Sequence, residues 1–278
     1  MGEENKEVGT VTEIAQAVAA VAKEVPVYQD AVQPAAQELG KGLVVVAKAV
    51  NACLIPVEGL VWGVEKIKDF VRERVAKKLE NVPPDEIQQP KPHVAVPAIE
   101  ALRYTGIEES LSDLYANLLA TSMDKATAYR AHPGFVDIIK NMCPDEAKVM
   151  KYLVTVRQFI AIANINSNIS GGGGYNVMSR NVTSLGARAG CQHPGLLSTY
   201  LDNLARLGLI AVDYETFLTD PKAYEEIENA PAVKKILEQI SQTPGRTGEI
   251  KKGIVKITDL GEQFGRVCIL DKDRQPRD

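Results

Sequence analysis

The most apolar stretch of the chain, Gly42 to Val64 (GLVVVAKAVNACLIPVEGLVWGV), constrains the fold most, because such a run must be buried in protein or in lipid. Lys48, Asn51 and Glu58 interrupt it, and Pro56 kinks or ends any helix there. Its longest charge-free run, Ala49 to Val57, falls well short of the roughly 20 apolar residues that a spanning helix needs. A helical hairpin turning near Ile55-Pro56 therefore fits better than a simple transmembrane segment. The favoured reading is a hairpin buried in the soluble core; its small residues also permit close helix packing, which makes Leu43, Val46, Leu54, Leu60 and Trp62 the candidate surface for assembly or for entry into a membrane on activation.

Helical periodicity surrounds this stretch. Val11, Ile14, Ala15, Val18, Val21, Ala22 and Val25 recur at three- and four-residue steps until Pro26. Val64, Ile67, Phe70, Val71, Val75 and Leu79 form one face of a further amphipathic helix. The five prolines of Val82 to Pro97 predict a linker or extended strap. Short helices are expected over Ala98–Thr105 and Ile107–Met123, the second with a stripe of Leu111, Leu114, Tyr115, Leu118 and Leu119. Pro144-Asp145-Glu146 reads as a helix start, with acids facing the positive dipole end, and that helix is expected to run to Ile160.

Asn164 to Gly174, ending in four glycines, reads as a loop. After it come a helix over about Val177–Ala189, a second from His193-Pro194 to Leu207, and a strand over Leu209–Val212. A polar excursion holding a helix near Ala232–Ile240 leads to a second strand, Gly253–Ile257. Thr258-Asp259 then caps a last helix to Ile269. This order predicts a mainly α fold: an N-terminal helical domain followed by a C-terminal winged helix-turn-helix domain with a small β-wing. The expected boundaries are an N-terminal extension over 1–30, a helical domain over 31–142, the winged-helix domain over 143–271 with an insertion at 215–250, and a tail at 272–278.

Chemical motifs are sparse. The four cysteines, Cys53, Cys143, Cys191 and Cys268, lack the close pairs of zinc sites, and Asp113, Asp124 and Asp137 lack the spacing of a metal-binding carboxylate cluster. The glycines at 171–174 carry neither a P-loop Lys-Ser/Thr nor Rossmann spacing. His132 and Cys143 supply the makings of a Cys/His pair, but nothing nearby lowers the thiol pKa, and His132-Pro133 reads more simply as a helix start. No catalytic, cofactor-binding or metal-binding residue is expected. A net charge of −4 and 5% aromatic residues disfavour a nucleic-acid coat. A winged helix would nonetheless bring Arg180, Arg188, Arg206, Lys251 and Lys252 near a phosphate backbone, and that is the alternative reading, with an uncharacterised enzyme behind it. Met1 to Glu7 is polar and acidic, which predicts a cytoplasmic protein.

The stretch Pro97 to Leu153 resembles the bacterial abortive infection alpha (Abi-alpha) family. The residues that carry the likeness are Leu111-x-x-Leu114-Tyr115-Ala116-Asn117-Leu118-Leu119-Ala120, Met123-Asp124, His132-Pro133-Gly134-Phe135-Val136 and Cys143-Pro144-Asp145-Glu146-Ala147. Gly59 to Gly63, Ile67-Lys68 and Ile257-Thr258…Leu260-Gly261-x-x-Phe264 extend it over about Tyr28 to Leu270. Gly134 stands where the pattern usually has Ser, and Cys143 where it has Leu or Ser. The resemblance implies defence against bacteriophage by abortive infection and assigns no residue a catalytic role. The expectation is a non-catalytic protein that works through a protein partner, self-assembly or a membrane entered on activation.

Overall fold

The computed structural model describes residues 64–270. Leu43, Val46, Leu54, Leu60 and Trp62 lie outside the described residues, as do the N-terminal helix and most of the apolar hairpin. The described chain opens with α1 (Val64–Phe70), which continues through a π-helical turn (Val71–Val75) into α2 (Ala76–Lys78). Ile67, Phe70, Val75 and Leu79 are buried along this run, as the periodicity predicts.

The proline-rich strap is anchored by its backbone. Gln88 N–H donates to the Met123 carbonyl (2.7 Å) and Lys125 N–H to the Glu86 carbonyl (2.9 Å), while Ile87 forms a β-bridge with Asp124. The strap ends sooner than its prolines predict, because α3 already starts at Pro92 and runs to Thr105 with Pro97 inside it. Pro92 takes the first helical position, where a missing N–H costs nothing, and Pro97 deprives only the carbonyl of exposed His93. Then follow α4 (Glu109–Met123), α5 (Gly134–Lys140) and α6 (Pro144–Val156).

Beyond α6 the expectation of a winged helix with a small β-wing fails. Strands β1 (Ile160–Ile169), β2 (Tyr175–Val182), β3 (Ile210–Asp213) and β4 (Arg246–Ile257) form one antiparallel sheet in the order β2-β1-β4-β3. The loop expected from Asn164 is most of β1, and the helix expected from Val177 is the edge strand β2. Only α7 (Leu185–Arg188) remains helical in that stretch. The chain is therefore mixed helix and sheet rather than all-α. Polarity hid β1: Asn166 and Ser167 are buried, and Asn166 and Asn168 reach Glu249 on β4 at 3.4 and 3.0 Å. Gly171 to Gly174 all have positive φ, the region open to glycine, and turn the chain from β1 into β2.

Several elements lie where the sequence places them. They are α8 (Leu197–Arg206), β3, α10 (Pro231–Ser241, after the short α9, Glu225–Glu228) and α11 (Asp259–Phe264). Thr258 caps α11 by accepting the Gly261 N–H at 2.9 Å. A π-helical turn, Gly265–Ile269, follows. One large core joins the helices to Ile162, Ile210 and Val255 of the sheet. A smaller core lies between the sheet and the inserted helices, where Ala163 and Ile165 meet Tyr224, Ile227, Val233 and Ile240.

Candidate functional site

The family-like residues occupy three joints of the fold. On α4, Leu118, Leu119 and Met123 are buried, and Asn117 points at the end of the described chain. Its Nδ2 donates to the Cys268 carbonyl (2.9 Å) and the Ile269 carbonyl (3.4 Å), while Thr121 Oγ1, one turn on, donates to the Val267 carbonyl (3.3 Å). These side chains satisfy carbonyls that the terminal π-helical turn leaves without intrahelical partners. Asp124 closes the same helix, its Oδ1 accepting the Ala126 N–H at 3.0 Å.

At the second joint His132 Nδ1 accepts the Gly134 N–H (3.0 Å), and its ring packs on Phe135. Phe135 is fully buried and meets Phe264 edge-on at 5.5 Å between centroids. A Cβ at Gly134 would sit 3.0 Å from His132 Nδ1, so this His and this Gly suit one another. Pro133 takes the cap position of α5. His132 thus has a structural task at a helix start.

The third joint is the start of α6. Asp145 is buried, and its carboxylate accepts from Gln192 N–H (2.8 Å), His193 N–H (2.9 Å), Lys148 Nζ (2.9 Å) and Tyr200 Oη (3.3 Å). Burial alone would raise its pKa. The hydrogen bonds from Lys148 and the two amides, with the Lys148 charge, outweigh burial and hold the carboxyl far below the usual carboxylate range. The same negative charge, added to burial, pushes Tyr200 up to about 12. Glu146 accepts the Cys143 N–H (2.8 Å) through one oxygen and Asn203 Nδ2 (2.9 Å) through the other. Both nearby thiols, Cys143 and Cys191, are raised by burial first and by the neighbouring carboxylates. A raised thiol is a weaker nucleophile, so this joint lacks the activation a cysteine enzyme uses.

Four of the five basic residues of the nucleic-acid reading have partners within the chain. Arg188 pairs with Glu226 (2.6 Å), Lys251 with Glu215 (3.2 Å) and Lys252 with Glu228 (2.8 Å). Lys252 also lies over the Tyr224 ring, 4.8 Å from its centroid. Arg206 donates to Asn203 on its own helix at 2.7 and 3.0 Å. Arg180 stands exposed on the edge strand β2.

At the other end of α6 lies an open cleft of about 650 Å³. Its walls are the end of α6, the first residues of β1, the β2–α7 turn and the 3-10 turn Pro221–Tyr224 with α9. Arg157, Arg188 and Lys222 line it, with Phe159 at its edge and Asp220 and Glu226 as its acids. Glu226 accepts from Arg188 and from Ser184 Oγ (2.8 Å), and these bonds lower its pKa. Glu226 and Tyr152 in turn raise that of Arg188. Arg157, Phe159 and Lys222 carry no sequence signature; Arg157 differs from an ordinary helix end only in standing where a glycine is usual.

Among the described residues no group of three or more His, Cys, Asp and Glu side chains is placed to hold a metal ion. Among them, too, no helix is long and apolar enough to cross a membrane. No curated protein matches the chain. A solved structure of an uncharacterized protein from the hydrocarbon-degrading marine bacterium Alcanivorax borkumensis SK2 is similar at 20% identity over 51% of this chain and 94% of that one, with a TM-score of 0.34. At that score the likeness carries no argument about fold or function. The sequence model of the abortive infection alpha family matches residues 63–268, and the chain belongs to that family.

Proposed function

We propose that this protein defends a bacterium against bacteriophage by abortive infection, and that it acts through binding rather than a reaction of its own. The family match supports the first part. The second rests on one observation: Asn117, Asp124, His132, Phe135, Asp145 and Glu146 are each spent on holding elements of the fold together. On this reading the folded body recognises a cue or a partner. The apolar segment 42–64 is the part that assembles or enters a membrane once released.

The test is infection of cells that carry or lack the protein, at low and high phage-to-cell ratios. Cultures carrying it should survive a low ratio and collapse without a phage burst at a high one. Survival of individual infected cells at the high ratio would refute abortive infection. In the same cells, fractionation should show the protein pelleting with membranes only after infection, and deletion of residues 42–64 should abolish killing. Killing that persists in the deletion removes the role given to that segment.

A further inference from the structure

Helix α6 ends on Arg157, whose backbone adopts the left-handed conformation (φ 50°, ψ 35°) that disfavours any residue with a Cβ. Asn181 is the other non-glycine residue with positive φ among those described, and its side chain accounts for it. It accepts from Tyr214 Oη at 2.7 Å and donates to Ser198 Oγ at 2.9 Å. Arg157 has no such compensation, since its guanidinium has no hydrogen-bond or ion-pair partner among the described residues. A long cation is thus held in a costly backbone conformation with no partner for its charge, and Arg157 lines both this cleft and a smaller one bounded by Glu262 and Arg266.

Lys222, in the 3-10 turn that also lines the cleft, likewise lacks an acidic partner among the described residues. The nearest acid in sequence, Asp220, accepts the Lys222 backbone N–H at 3.0 Å. Arg188 and Glu226, also in the lining, neutralise one another. Arg157 and Lys222 therefore line the cleft without ion-pair partners among the described residues, beside Asp220, whose carboxylate accepts only a backbone N–H. Phe159, which also lines the cleft, is 56% exposed and makes no ring contact among the described residues.

We propose that this cleft binds a free nucleotide, its phosphates held by Arg157 and Lys222 and its base laid against Phe159. A guanidinium matches phosphate oxygens bidentately, an ammonium adds a point charge, and an exposed ring offers a stacking face to any base. The volume lies within the usual range of small-molecule sites. Arg188 becomes a third phosphate contact where the ligand displaces Glu226. The proposal does not depend on what segment 42–64 does.

The test is equilibrium dialysis of the full chain against the four ribonucleoside triphosphates, inorganic pyrophosphate and a short single-stranded RNA. At least one triphosphate should bind well below about 1 mM. Arg157→Glu and Lys222→Glu, both exposed, should each weaken it at least about tenfold while leaving the thermal midpoint close to that of the parent. Phe159→Ala should weaken the nucleotide and leave pyrophosphate unchanged. The proposal falls if no triphosphate binds, or if the charge reversals change nothing. It also falls if pyrophosphate binds as tightly as the nucleotides, or if RNA outcompetes them, which would make the cleft a nucleic-acid interface.

Discussion

The two ends of helix α6 hold charge in opposite ways. At its start Asp145 is buried, and its carboxylate collects two backbone amides, an ammonium and a phenol. At its end Arg157 is exposed, sits on a left-handed backbone and has no partner among the described residues. A charge surrounded by its hydrogen bonds contributes to stability. A charge left open at a backbone cost does not, and that contrast is the ground on which the nucleotide site is proposed.

The contrast breaks first at Asp145. Asp145→Ala strands two amide donors and the Lys148 charge, and should cost about 3 kcal/mol in urea unfolding. A loss below about 1 kcal/mol would mean that this joint is not holding α6 to the 190–193 turn. Acid sharpens the same point. The Asp145 carboxyl has a lower pKa folded than unfolded, so the unfolded chain takes up its proton first as pH falls. Its contribution is complete above the ordinary carboxylate pKa of about 4 and drains away as pH drops below it. The stability gap between the parent and Asp145→Asn should therefore be widest near neutrality and narrower at about pH 3; a constant gap would overturn this account of the carboxylate.

Smaller effects test the neighbours of each end. Asn203→Ala removes the amide that bridges Glu146 and the Asn141 carbonyl, both at 2.9 Å, and should cost about 1 kcal/mol by thermal or urea unfolding. Arg157→Gly should do the reverse and stabilise the fold by about 0.5 kcal/mol, because glycine meets no penalty at φ 50°. If Arg157→Gly destabilises instead, the guanidinium is part of the scaffold and the comparison between the two ends collapses.

Much of the helical framework was legible because its signals are local. Pro144-Asp145-Glu146 marks the start of α6, Thr258 caps α11, and the apolar stripes of α4 and α8 point inward. The sheet was not legible, for two physical reasons. In β1 the alternation is filled with Asn and Ser, whose polarity reads as a loop; in the fold Asn166 and Asn168 donate to Glu249 on β4 and Asn164 accepts the Asn181 N–H. In β2 the edge position leaves Tyr175, Val177 and Met178 exposed, so no buried face imposes a period of two. The cleft was hidden more completely. Arg157 and Lys222 belong to distant segments that only the folding of the insertion onto the sheet brings to one opening.

Asn117 and Thr121 have a bearing on how the molecule comes into being. The carbonyls they serve lie as much as 152 positions further along the chain, in the turn Gly265–Ile269. While translation is still under way, the middle of α4 has two polar side chains pointing into a seat with nothing in it. Closure must wait until nearly the whole described polypeptide has emerged. Until the turn Gly265–Ile269 arrives, α4 is held short of its finished packing.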